Sequence, residues 1–419
     1  MQAMWIGIVG TLALAGSAAC RAQTLELGVE LGGQARLQWT QQHSADSGPV
    51  AQANTLQSGT VAEPDSGATL EAELRASGHG VTAVATLQQH RWQSHSSEGR
   101  AWVNELFAAH DGGAWQYSAG KKIVAWDVGH GFRPNDMVQQ EERRTLASST
   151  AEGRPLVMAE HFTADTAWSL VAVNPTAAPE ARGALEPALA GRFYQRAGAV
   201  DWHGFARLGA HTGASVGAAM AWVASEALEL HGSLRYLRRV DSQAIKPTAT
   251  GLVASNPWQA HTQEDVPQLL LGGTWTAESQ LSLLAEAWWD GAAQSNAQWD
   301  AWAQRNTQLA AMATLGAPAT AVAVAGNLAW QADAFGVSPN LRRSNVLLRL
   351  SWQNGAWSPA LDVLYTPADR GRMVTASLNW QGDRVQVQGG WRGYGGPADA
   401  VLAQLPSRST AYLSASWPF

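Results

Sequence analysis

Ser409-Thr410-Ala411-Tyr412-Leu413-Ser414-Ala415-Ser416-Trp417-Pro418-Phe419 closes the chain with a strict alternation. Ala411, Leu413, Ala415, Trp417 and Phe419 fall on one face, and Thr410, Tyr412, Ser414 and Ser416 on the other. A period of two is the signature of a β-strand whose two faces meet different surroundings. A strand of this kind that ends on an aromatic residue has an edge to pair, and pairing the last strand with the first removes both edges of a sheet at once. The fold therefore turns on whether the rest of the chain repeats the pattern.

It does. The alternation Leu25, Leu27, Val29, Leu31, Ala35, Leu37 against Glu26, Glu30, Gln34, Arg36, Gln38 predicts a first strand running to about Trp39, long for a globular strand. Tight turns are predicted at Gly78-His79-Gly80, Asp111-Gly112-Gly113, Thr163 to Thr166 and Gly382-Asp383. Long polar segments near 40–67, 125–154, 241–264 and 291–343 alternate with such turns. The count is eighteen strands, with sixteen as the alternative. The expected fold is all-β: one antiparallel transmembrane barrel over residues 23–419, with short periplasmic turns and longer external loops.

Composition agrees. The 419 residues include 21 Trp and 41 Gly, only 15% are charged, and a formal charge of −6 argues against a nucleic-acid partner. Past the first 22 residues no apolar run is long enough for a membrane helix. Residues 1–22 read as a signal peptide, apolar from Trp5 to Ala15 and then small. Cys20, the single cysteine, lies within it, so no disulfide or cysteine-based metal site is expected in the mature chain. Tryptophans fall at two levels: Trp202, Trp222, Trp275, Trp352, Trp357, Trp380 and Trp417 at the turn end, and Trp39, Trp289 and Trp391 at the loop end. Two girdles suit a membrane barrel, whereas a soluble sandwich would scatter its tryptophans through a core.

The ending, with Tyr412, Leu413, Trp417 and Phe419, resembles the carboxy-terminal assembly signal of Gram-negative outer-membrane β-barrel proteins. That resemblance implies secretion across the inner membrane, the barrel-assembly machinery as a partner, and an outer-membrane location in contact with lipid.

Function then belongs to the inner face, since a Lys or Arg facing lipid at the midplane costs about 2–4 kcal/mol. Inward parity is predicted for Arg192, Arg196, Arg207, Arg235 and Arg239, gathered on neighbouring strands, and for Glu229 and Arg349. Most lumen charges pair and hydrate the wall; a cluster of arginines would steer an anionic solute. The segment 125–154, with Arg133, Asp136, Glu141, Glu142, Arg143 and Arg144, resembles in position and character, though not in signature, the third loop of general porins, which folds inward and sets the constriction; an exposed, solvated loop is the alternative. Helical spacing of Trp299, Trp302, Asn306, Leu309 and Met312 predicts a helix in 291–343, over the rim or inside the lumen.

His231-Gly232-Ser233 has the His-x-Ser spacing found in outer-membrane phospholipase A, but it is predicted to face the lumen and lacks that family's Asn-Gly continuation. No enzyme activity, cofactor or metal is expected; the remaining histidines lack ligand spacing. The first functional reading is a porin-like channel for polar or anionic small solutes, as a monomer or a homo-oligomer. The second is a barrel conduit or anchor of a dedicated export assembly for polysaccharide or peptide, with periplasmic partners and gating by the long loops.

Overall fold

A computed structural model describes residues 23–25, 28–139, 151–178, 180–315 and 317–419. Eighteen antiparallel strands form one closed sheet: β1 (Val29–Ser44), β2 (Gly67–Gly78), β3 (Val81–Trp92), β4 (Glu98–Asp111), β5 (Trp115–Lys122) and β6 (Arg154–Phe162). They continue with β7 (Thr166–Val173), β8 (Ala188–Ala197), β9 (Val200–Gly209), β10 (Gly213–Ser225), β11 (Leu228–Ile245) and β12 (Trp258–Thr276). The last six are β13 (Leu281–Asp290), β14 (Ser344–Trp352), β15 (Trp357–Thr366), β16 (Gly371–Gln381), β17 (Gln386–Gly395) and β18 (Ser407–Pro418). Each strand pairs with its sequence neighbours, and β18 pairs with β1 to close the ring. Gln23–Leu25 adds a short extended segment beside β1.

Closure uses the stretch quoted first. Leu413 lies opposite Trp39 and Trp417 opposite Ala35, so the apolar faces of the first and last strands are continuous. The main chain of Phe419 exchanges two hydrogen bonds with Gly33, at 2.8 and 2.9 Å. Leu31, Leu37, Leu70, Leu74, Leu87, Leu234 and Leu413 are exposed around the outer face, an apolar belt that only lipid would cover favourably. Trp39, Trp202, Trp222, Trp275, Trp289, Trp352, Trp357, Trp391 and Trp417 are exposed on the same face. Trp380 is half-buried beside Trp357, with ring centres 6.3 Å apart. Trp115 and Trp168 join the outward set. No helix is long and apolar enough to cross a membrane among the described residues.

The wall is uneven in height. β5 and β7 have 8 residues each, whereas β11 and β12 have 18 and 19. At about 3.4 Å per residue the tall pair extends well past a bilayer core. These two strands therefore take both ends of the segment 241–264 that the sequence pattern assigns to a loop, and β1 the first few residues of 40–67, because backbone pairing outside the membrane needs no apolar alternation. Opposite Val84 and Ala85, a bulge lets β4 insert an extra residue. Parity shifts there, leaving both Asn104 and Glu105 on the inner side.

Above the tall strands sits a helical cap. Helix α1 (Pro49–Leu56) comes from the β1–β2 loop, and α2 (Asn296–Leu315) and α3 (Pro318–Gln331) from the β13–β14 loop. Ala53, Leu309, Val324 and Leu328 form its core, while Trp299 and Trp302 pack with Ile245, Trp258 and Val401 from three other segments. Arg305 is buried there and donates to the carbonyls of Ala249 and Gly251 and to Asn327 Oδ1 and Gln331 Oε1. The helix expected from Trp299, Trp302, Asn306, Leu309 and Met312 is α2.

Candidate functional site

The inner wall is built by strand parity, and one loop reshapes it. Arg36, Arg75, Lys122, Arg192, Arg196, Arg207, Arg235, Arg239, Arg349 and Arg392 all have the register of inward positions, as do Glu71, Glu73, Asp201, Glu229, Glu286 and Asp362. Glu26 lies outside the described residues.

The segment 123–139, which follows β5, folds into the lumen. Its first residue, Ile123, donates its amide to Glu105 Oε1 at 2.9 Å. Val124, Trp126, Met137 and Val138 then pack on inward Leu156, Met158, Val171, Val173, Ala190, Phe205 and Ala219 of β6–β10. Phe132, at the tip, packs on Leu270, Trp288 and Leu347 of β12–β14. The returning limb is tied at Gln139, whose Nε2 donates to Glu152 O at 2.8 Å, and Asn104 Nδ2 donates to Ala151 O at 3.1 Å.

Two polar latches fix the loop. In the first, the buried Glu286 carboxylate accepts the amides of His130 (2.7 Å) and Gly131 (2.6 Å), and His231 Nε2 lies 2.9 Å from the same group. In the second, Ser233 Oγ donates to Asp127 at 2.8 Å while accepting from Asn135 Nδ2 at 2.7 Å. Asp127 also accepts the Asn135 amide at 2.5 Å. Burial pushes the Asp127 carboxyl above the usual carboxylate range, against the pull of the Asn135 amide and the Ser233 hydroxyl. Both latches need room on the wall. A Cβ at Gly217 would come within 2.8 Å of Asn135 Cγ, and one at Gly272 within 2.6 Å of Glu286 Cγ.

The predicted arginine wall divides under this loop. Arg235 is buried and donates to Pro134 O (2.8 Å) and Ser215 Oγ (3.0 Å). Arg207 is buried against Glu186 at 3.0 Å. Burial would raise the Glu186 carboxyl, but the Thr212 amide and hydroxyl, the His211 amide and Arg207 together hold it below its ordinary value. Arg192 and Arg239 are half-buried and Arg196 is exposed. Arg349 of β14 pairs with Asp362 of β15 at 2.9 Å, and on the opposite arc Arg36 and Glu71 are 3.5 Å apart and Arg392 Nε donates to Thr375. Glu229 is exposed, 3.9 Å from His231 Nδ1.

Of the expected constriction residues, Arg133 donates to Gly129 O at 2.7 Å, and Asp136 accepts the amides of Trp126 and Asp127. Glu141, Glu142, Arg143 and Arg144 lie outside the described residues. Tyr412 is buried on the inner face, while Leu413 and Trp417 are exposed outward. His231 and Ser233 are brought to one face, but each is engaged by a latch partner, Glu286 or Asp127. The sequence pattern marks Glu286 only as an inward charge and gives no sign of Asp127, Asn135 or Glu186. The consecutive apolar run Pro155-Leu156-Val157-Met158 carries a signal for the loop itself, since a strand apolar on both faces needs a cover on its inner face.

No protein-family model matches the chain, and no curated protein does. Among solved structures, Acinetobacter baumannii OccAB1 is similar across 94% of this chain and 96% of that one, at 11% identity and a TM-score of 0.53. A triple mutant of Rhodopseudomonas blastica porin aligns with 93% of this chain and 100% of that one, at 10% identity and a TM-score of 0.41. Identity this low speaks to fold alone: the chain is a closed, eighteen-stranded antiparallel β-barrel, a fold it shares with OccAB1.

Proposed function

We propose that this protein is an outer-membrane channel for small polar solutes, with a preference for anions. The observation that carries the reading is the inward loop, latched to the wall at Glu286 and Ser233, which narrows a charged lumen. At the level of its contacts the loop covers the inner wall from β6 to β14, so at that height the solute path follows β15–β18 and β1–β4, past Arg392, Arg36 and Arg75. Buried latches cost folding free energy to build and favour a narrowed passage over an empty structural tube. The closing strand, with Tyr412, Leu413, Trp417 and Phe419, serves as the assembly signal in this reading.

Planar-bilayer recording tests it. Discrete steps in KCl with a reversal potential displaced toward chloride are expected; a silent barrel, or steps selective for potassium, would count against it. The cap of α1–α3 supports a second reading, a conduit gated from outside. It predicts that the full chain is silent and that removing 292–342 opens it.

A further inference from the structure

We infer that the cap is a fixed roof over one half of the mouth, so that solutes enter from the loop side over the β3–β10 half alone and turn into the passage along the inner face of β3 and β4. The inference deepens the channel reading and rests on it. Its ground is the placement of two covers, the cap above and the inward loop below, over different arcs of the same ring.

The cap crosses the mouth. Ala53, from the β1–β2 connection, packs with Leu309, Val324 and Leu328 of α2 and α3. The same helices reach the β11–β12 connection, where Asn327 exchanges hydrogen bonds with the main chain of Val253 at 3.0 and 3.1 Å. Trp258 Nε1, at the top of β12, donates to Trp330 O at 2.8 Å. Eight strands, β12–β18 and β1, separate these two connections by the shorter way round the ring of eighteen, so α2 and α3 span close to a diameter.

The half behind that span is tied to the rim. Arg342 and Asp369 form a buried pair at 3.3 Å, Asp369 accepts the Val401 amide at 2.9 Å, and Val401 packs with Trp299 and Trp302. Ser47 Oγ donates to Ala403 O at 3.4 Å, joining the β1–β2 and β17–β18 connections. A roof held to five connections by buried contacts moves only when those contacts are lost.

Over β3–β10 the described connections stay at their own rim. Ser94 bonds to Asp65 through its amide and hydroxyl, and the His211 and Thr212 amides bond to Glu186. Among the described residues these connections carry no helix beyond the single turn Gly183–Leu185. At the level of the inward loop the arcs exchange: its contacts cover β6–β14 and leave β15–β18 and β1–β4. The open half above and the open arc below share β3 and β4, so a solute entering from above passes sideways there. His90 and Gln88 of β3 stand opposite Glu98 and Arg100 of β4 on that inner face. Arg100 is exposed, with Cζ 4.8 Å from the Trp102 ring centre, and the His90 and Trp92 rings lie 3.6 Å apart.

The test uses the full-length protein with one introduced thiol at a time, Cys20 being the single native cysteine. Arg100→Cys marks the entrance, Thr410→Cys the inner face of β18 beneath the cap, and Thr307→Cys the exposed outer face of α2. Each is reconstituted in planar bilayers and in vesicles, and a polyethylene-glycol maleimide too large to pass the constriction is added on the loop side. Gel shifts should show Arg100→Cys and Thr307→Cys reacting at least about tenfold faster than Thr410→Cys, whereas a small methanethiosulfonate reagent modifies all three. The bulky label should cut the unit conductance of Arg100→Cys to about half or less and leave that of Thr307→Cys unchanged. Thr410→Cys reacting with the bulky reagent as fast as Arg100→Cys would overturn the roof. A labelled Arg100→Cys channel with undiminished conductance, or an equal loss in Thr307→Cys, would overturn the side entrance. Wild-type protein that does not conduct would overturn the channel reading, and the gel-shift rates would still judge the roof.

Discussion

At the scale of single residues, the lumen depends on a few buried groups that fasten the loop to the wall. Glu286 accepts two loop amides and a histidine with no exposed side-chain surface. Glu286→Ala leaves those donors without a partner, a loss on the order of 3 kcal/mol or more to the loop's attachment. The expected outcome is protease cleavage within 125–139 in the folded variant and none in wild type. Gly217→Val should act from the opposite side, because its Cβ takes the space of Asn135; a protected loop in that variant would contradict the placement. In the external loops, the hydroxyl and amide of Ser94 hold the half-buried Asp65 carboxyl at about 2. A depressed carboxylate stabilises the folded loop above its ordinary value and loses that contribution as pH falls toward 2. Pepsin should therefore cut 45–66 faster at pH 2 than at pH 4, and Ser94→Ala should narrow the difference.

At the scale of elements, the cap and the wall are separable. Trp302 is buried in the cap and its Nε1 donates to Gln331 O at 2.9 Å. Trp302→Ala should cost the cap about 3–5 kcal/mol, exposing α2 to trypsin at Arg305 while the barrel keeps its heat resistance on gels. Loss of the barrel itself would show that the two fold as one unit. The strands were legible in the sequence because a membrane barrel must alternate: all eighteen expected strands occur, most within a few residues of their expected ends. The inward parity of Arg192, Arg207 and Arg235 was legible for the same reason. Their partners were not. Glu186 and Pro134 come from loops whose path no periodicity encodes, so the sequence could not distinguish an arginine facing solute from one that anchors a loop. The tall β11 and β12 were underestimated because their ends stand in water, where pairing constrains the backbone but not the pattern.

At the scale of the whole molecule, an eighteen-stranded ring would leave a wide passage if its loops stayed outside. The loop from β5 instead covers the inner wall as far as β14, so in the proposed channel the gap between loop and opposite arc, rather than strand number, sets passage. Single-channel conductance of the double variant Asp127→Ala/Glu286→Ala against wild type tests this most directly, since it releases both latches and leaves the strand register intact. Unit steps several-fold larger and noisier than wild type are predicted; steps of the same size would contradict a constriction set by the latched loop.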